Sequence, residues 1–258
     1  MSNAGIHLTI AFLWLFPAVQ VSARTDVSLV HEVVNVHKTT RIVGGDLAED
    51  DRYPYVVSVQ MEGAHFCGGT LIAKDVVLTA AHCLSSDSML QVIVDRIDMT
   101  KSDEGDQVAV NMMIAHPEFD VSGTWEYDFA LLILARSITT SNVQLMELNI
   151  DDHFPPSGTI GTVMGWGDTK QHSNEQNVSD ILMTVEAETI SNEECASAQG
   201  SLDGFNGSYE DWIFSSMICT LSNNQNACKG DSGQYTYVHE RVDFKTTVES
   251  QFHCFLIL

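Results

Sequence analysis

The sequence predicts an all-β protein, and three observations lead there. Short apolar runs recur along the chain with turn residues between them, helical periodicity is scarce, and 258 residues suffice for a sizeable core in one large domain or two small ones. Apolar content of 44% is that of an ordinary globular protein and disfavours a disordered chain. The sequence contains no internal repeat and no low-complexity segment.

In chain order the candidate strands are Tyr55-Val56-Val57-Ser58-Val59, Val76-Val77-Leu78, Leu90-Gln91-Val92-Ile93-Val94 and Val108-Ala109-Val110, then Phe129 to Leu134, Thr159 to Met164, and Leu182 to Ala187. The Pro155-Pro156-Ser157-Gly158 turn suggests a boundary, with one half over residues 42–153 and the other over 154–258. Ahead of them, residues 1–23 read as a secretory signal: Leu8 to Val19 is too short an apolar run to span a bilayer comfortably, and Val21-Ser22-Ala23 is a small-residue cleavage site. Its first region carries only the terminal amine and His7. Residues 24–41 are then expected to be a propeptide ending at Arg41, and no later stretch has the length of a membrane span.

The formal charge is −23, from 35 acidic and 12 basic residues. That disfavours nucleic acid and anionic membrane surfaces as partners. It would help a basic peptide to approach, although a solvated acidic surface explains it as well. Six cysteines, with no C-x-x-C pair among them, fit disulfides in an oxidising compartment better than a metal site. Two sequons, at Asn177 and Asn206, fall in polar stretches expected to be loops and suit a secreted glycoprotein.

Ala227-Cys228-Lys229-Gly230-Asp231-Ser232-Gly233 buries little apolar surface, so it is a poor structural element. As a reactive turn it has a use: Gly230 admits close approach of a substrate, Ser232 offers a hydroxyl, and the amides of Gly230 and Ser232 can receive a developing oxyanion. Taken alone it reads equally well as an ordinary Gly/Ser/Asp loop. The Gly-x-Ser-x-Gly elbow of lipases and esterases is excluded, because the last position is Gln234.

Three further stretches decide between these readings. Leu78-Thr79-Ala80-Ala81-His82-Cys83 resembles the histidine signature of chymotrypsin/trypsin-like serine proteases, Tyr127-Asp128-Phe129-Ala130-Leu131-Leu132 resembles their aspartate segment, and Arg41-Ile42-Val43-Gly44-Gly45 resembles their activation junction. The order His82, Asp128, Ser232 is that of chymotrypsin, unlike that of subtilisins or α/β-hydrolases. The resemblance implies two six-stranded antiparallel β-barrels with the active site between them. It implies His82 as base, Asp128 as its orienting partner, Ser232 as nucleophile, and Gly230 with Ser232 as oxyanion hole. Asp128 beside an apolar run would be a costly buried charge unless paired, which agrees. Cleavage after Arg41 by a protease of basic specificity would free the Ile42 amine to pair with Asp231.

The same resemblance implies bridges Cys67–Cys83 and Cys195–Cys219, leaving Cys228 with Cys254. Trp166, in Met164-Gly165-Trp166-Gly167, and His116, in His116-Pro117, are expected to be structural. Asn226 stands at the floor of the substrate pocket, where a neutral amide cannot supply the charge that selects Lys or Arg. Asp98, Asp103, Glu104 and Asp106 cluster where some trypsins bind calcium, yet Arg96 occupies the first acidic ligand position, so a solvated loop with no metal or cofactor is expected. Beyond Gly233 the resemblance fades at Gln234-Tyr235-Thr236, and the remaining chain is shorter than the family uses. Thr247 to Cys254 would stand in for its substrate-binding strand and the cysteine that pairs with Cys228. The second barrel is therefore expected to be incomplete.

The function expected is a secreted, extracellular serine endopeptidase, made as a zymogen and acting on proteins or peptides, with its peptidase domain over residues 42–258. The alternative is a catalytically inactive protease-like binding protein, which the short tail would favour.

Overall fold

Antiparallel strand pairing closes the first half of the chain on itself. β2 (Val56–Met61), β3 (Ala64–Ala73), β4 (Val76–Thr79), β5 (Leu90–Val94), β6 (Asp106–Ala115) and β7 (Ala130–Leu134) form a closed antiparallel barrel in the order β2-β3-β4-β7-β6-β5. Ala130, Leu132 and Leu134 of β7 are buried while Leu131 and Ile133 between them are only partly so, the period of two that a half-buried strand requires. Val57, Val59, Leu71, Val77, Val92, Val94 and Leu132, each fully buried, fill the interior. The computed structural model describes residues 45–85, 88–119, 126–151, 154–167, 178–202, 205–221, 237–238, 241–242 and 246–249. These belong to the unit Thr40–Leu258; the other unit, Met1–Thr39, lies outside them.

β3 runs through Cys67-Gly68-Gly69, where the absence of a side chain is required. A Cβ on Gly69 would lie 2.7 Å from Val77 Cγ1 and 3.1 Å from the Leu78 carbonyl oxygen, so β3 and β4 approach closely only with glycine there.

The second half forms an open sheet. β8 (Ile160–Gly165), β9 (Met183–Ile190) and β12 (Met217–Leu221) are its centre, and β13 (Tyr237–Val238), β14 (Arg241–Val242) and β15 (Thr246–Glu249) complete the order β14-β13-β8-β9-β12-β15. β1 (Asp46–Leu47) pairs along β9 at Thr184 and Met183. Among the described residues this sheet does not close, and β15 lies parallel to β12. A short helix, α1 (Asn192–Ser197), follows β9; the Ser191 hydroxyl caps it by accepting the Glu194 N–H at 3.1 Å. β10 (Gln199–Leu202) and β11 (Phe205–Ser208) form a separate hairpin. Asn206, expected in a loop, sits instead in β11 opposite Ser201, because this polar segment pairs locally with its neighbour. Its sequon partner Asn177 lies outside the described residues.

The two sheets share a core. Tyr55, Val56 and Leu78 from the barrel's outer face pack with Val163, Met164, Trp166, Leu182 and Met183. Trp166 is 1% exposed and its indole N–H donates to the Ile97 carbonyl at 3.0 Å, so it is the packing residue the sequence suggested. Consecutive residues of β4 thus face opposite ways, Val77 into the barrel and Leu78 into this seam. No helix among the described residues is long and apolar enough to cross a membrane.

Candidate active site

The histidine segment begins where β4 ends, on the side of the barrel that meets the second sheet. Thr79 is fully buried, and its hydroxyl donates to the Gly68 carbonyl at 2.7 Å, which ties the end of β4 to β3. Ala80 is extended, and Ala81–Cys83 then form one turn of 3-10 helix with Ala81 and Cys83 turned inward. Small residues are needed at 80 and 81 because both are buried. The Cys67–Cys83 disulfide, expected from the sequence, bonds this turn to β3, so His82 is held from both sides.

Asp128 arrives from the opposite direction, just before β7. It is fully buried. Its Oδ2 lies 2.7 Å from His82 Nδ1, and its Oδ1 accepts the His82 backbone N–H at 2.8 Å. Both carboxylate oxygens therefore meet the same residue, which meets the sequence-level argument that a buried aspartate here needs a partner. A carboxylate at Nδ1 places the ring proton on Nδ1 and leaves Nε2 as the basic nitrogen. The His82 side chain is 19% exposed against none for Asp128, so the pair meets solvent through the imidazole and keeps the carboxylate buried.

The turn that carries Asp128 is unusual in its backbone. Tyr127 has φ +55°, a conformation that bulky residues rarely adopt, and the Phe129 N–H donates to the Tyr127 carbonyl at 2.7 Å around Asp128. The His116 ring stacks on Tyr127 with centroids 5.0 Å apart and 18° between planes, and tilts against Phe129 at 4.5 Å. The Tyr127 N–H donates to Ser216 Oγ at 3.4 Å, a tie from this turn to the segment before β12. Sequence reasoning singled out neither Tyr127 nor Ser216, since a positive φ on tyrosine leaves no compositional trace.

The Cys195–Cys219 bridge forms as expected and fastens α1 to β12. Asn192 adds to this joint by donating to the carbonyls of Phe214 at 2.9 Å and Met217 at 3.1 Å. Ser232, Gly230, Asp231, Asn226, Arg41, Ile42, Cys228 and Cys254 lie outside the described residues.

Two arrangements bear on metals. Cys67, His82 and Cys83 come within 4.8 Å of one another, but both sulfurs are in a disulfide and offer no thiolate. In the acidic loop, Arg96 is 8% exposed and its guanidinium donates to the carbonyls of Glu104 at 2.7 Å and Ser102 at 3.1 Å. The acids turn elsewhere. Asp98 accepts from the Thr100 hydroxyl at 2.6 Å, Glu104 pairs with Lys101 at 3.3 Å, and Asp106 takes Arg136 together with the Thr139 N–H at 2.8 Å. Hydrogen bonding by Arg136 holds the Asp106 carboxyl well below the usual carboxylate range, with Thr139 adding to the effect.

Comparison with known proteins agrees with this geometry. The family model described as Trypsin matches residues 42–241, from the residue after Arg41 to beyond Ser232. Trypsin theta of Drosophila melanogaster is 36% identical over 195 residues, which are 75% of this chain and 70% of that protein. Trypsin epsilon of Drosophila erecta and Hypodermin-B of Hypoderma lineatum are each 32% identical over 193 residues, covering 75% of this chain and 71% of those proteins. A closed barrel with a buried aspartate on its histidine, an open companion sheet and this matched span together place the chain in the trypsin family of serine proteases.

Proposed function

We propose that the chain is a secreted serine endopeptidase, made as a zymogen, that cleaves protein or peptide substrates through an acyl-enzyme. The observation that carries this reading is the fully buried Asp128 with both oxygens on His82. A buried carboxylate aimed at one imidazole is costly for stability and useful for general-base chemistry. Serine is un-ionised at neutral pH and needs such a base. His82 Nε2 removes the Ser232 proton as the hydroxyl attacks the scissile carbonyl, and Asp128 stabilises the imidazolium that forms. The amides of Gly230 and Ser232 receive the oxyanion. The imidazolium then protonates the leaving amine, and water repeats the sequence on the acyl-enzyme.

Residues 1–23 direct secretion, and an upstream protease of basic specificity removes residues 24–41 by cutting after Arg41. The freed Ile42 amine pairs with Asp231, a counter-charge that exists only after the cut, and the oxyanion amides fall into place. Asn226 at the pocket floor carries no charge, so preference is not confined to Lys and Arg before the cut.

The divergence from the family after Gly233, at Gln234-Tyr235, favours a second reading, a protease-like protein that binds without cutting. Incubation of the Arg41-cleaved chain with an unfolded protein, followed by mass spectrometry of the fragments, separates the two. Fragments that vanish with Ser232→Ala are expected; intact substrate with a folded, cleaved chain would establish the binding protein instead.

A further inference from the structure

We propose that His116 is a positioning residue for the His82–Asp128 couple, fixing the turn that aims Asp128 by stacking on Tyr127. The inference deepens the endopeptidase reading and rests on it for its consequence in catalysis. Tyr127 sits directly before Asp128 at φ +55°. A bulky residue persists in that region only when its surroundings over-determine it. His116 supplies part of that determination. Its ring lies against Tyr127 at 5.0 Å, nearly parallel, and against Phe129 at 4.5 Å, so it touches both neighbours of Asp128 in the chain. Its backbone N–H donates to the Phe129 carbonyl at 2.9 Å.

The imidazole is itself anchored. The Glu118 N–H donates to His116 Nδ1 at 3.3 Å, which leaves the lone pair on Nδ1 and orients the ring plane. Three constraints thus converge on one turn: the ring stack, the backbone bond to Phe129, and the Tyr127 N–H on Ser216 at 3.4 Å. Only the first depends on the identity of residue 116. Without the ring, Tyr127 can relax toward negative φ, and the peptide plane leading into Asp128 rotates with it. Because Asp128 Oδ1 and Oδ2 are both committed to His82, a small rotation displaces both bonds.

The test compares His116→Ala with His116→Phe in the full Arg41-cleaved chain. Phenylalanine keeps a flat ring for Tyr127, and alanine keeps nothing. The direct readout is the low-field proton resonance of the His82 Nδ1–H, assigned by its loss in Asp128→Asn. The second readout is the rate of labelling by a fluorophosphonate. His116→Ala is expected to broaden or lose the resonance and to slow labelling by about tenfold or more, whereas His116→Phe stays within about threefold. A folded His116→Ala protein with an unchanged resonance overturns the proposal, as does a His116→Phe protein as impaired as the alanine variant. Should His116→Ala not fold, Tyr127→Ala removes the stacked ring while still disfavouring positive φ. The same loss of the resonance is expected there, and its persistence overturns the proposal. If the parent chain never reacts with the probe, the endopeptidase reading fails while the resonance still decides the role of His116.

Discussion

In the barrel every strand has two hydrogen-bonded neighbours, whereas the sheet of the second half runs from β14 to β15 without returning on itself among the described residues. The functional groups divide along the same line. His82 and Asp128 stand at one end of the closed barrel, tied by a disulfide, a buried threonine and the turn beneath His116. In the sequence Ser232 belongs to the stretch between β12 and β13, in the half whose sheet does not close among the described residues. A closed barrel can hold a buried charge in place because its strands have no free edge along which to slip. The difference teaches that the His82–Asp128 pair is built into the barrel; under the proposed function, the side of Ser232 is the part that cleavage after Arg41 would organise.

The comparison breaks most sharply at Asp128. Asp128→Asn keeps the shape of the site but removes the charge that sets the His82 tautomer, so the fluorophosphonate rate should fall by about 10⁴-fold. Thermal melting checks that the fold survives. Next come the two disulfides. Replacing both Cys67 and Cys83 by alanine should cost about 2–5 kcal/mol in urea unfolding and also slow labelling, because that bridge holds the turn of His82. Replacing Cys195 and Cys219 should cost a similar amount without touching the His82 Nδ1–H resonance, since that bridge lies wholly in the second half.

A third substitution tests how tightly the barrel is built. Gly105 has φ +76°, and a Cβ there would lie 2.5 Å from the Val94 carbonyl oxygen, so Gly105→Ala should destabilise by about 3 kcal/mol in the same unfolding measurement. Arg96→Met should cost about 1–3 kcal/mol, because it leaves the Ser102 and Glu104 carbonyls without their donor. Added calcium is not expected to raise the melting temperature of the parent, whose loop already holds a guanidinium among its carbonyls.

The smallest effect concerns Asp106. Its folded pKa is depressed, so its contribution is fully present above the unfolded value of about 3.9 and is lost as pH falls through the folded value. Arg136 is half exposed, which screens the pair, so the stability that the parent holds over Asp106→Asn should be slight, constant above about pH 4 and lost only below it. Melting temperatures taken across that range measure it.

Much of this was legible in the sequence because apolar alternation and a few local signatures carry it. The runs beginning at Tyr55, Val76, Leu90 and Val108 became barrel strands, and the blocks around His82 and Asp128 met as their signatures implied. β3 escaped detection, since Cys67-Gly68-Gly69 reads as a turn; the close approach of Val77 that makes glycine necessary is a tertiary fact. β12 was hidden for a related reason: Met217–Leu221 is short and shows no polar alternation, being buried along most of its length. Arg96 was visible as a cation in an acidic loop, but its two carbonyl partners depend on how the loop folds. The stack of His116 on Tyr127 joins residues eleven apart through a backbone conformation that composition does not encode.

Under the proposed function, a prebuilt His82–Asp128 couple serves a nucleophile switched on by cleavage. Fluorophosphonate labelling of the Arg41-cleaved chain, beside the uncleaved chain and Ser232→Ala, tests it most directly. Labelling of the cleaved chain alone is expected. A folded, cleaved chain that stays unlabelled, or an uncleaved chain that labels equally fast, would contradict it.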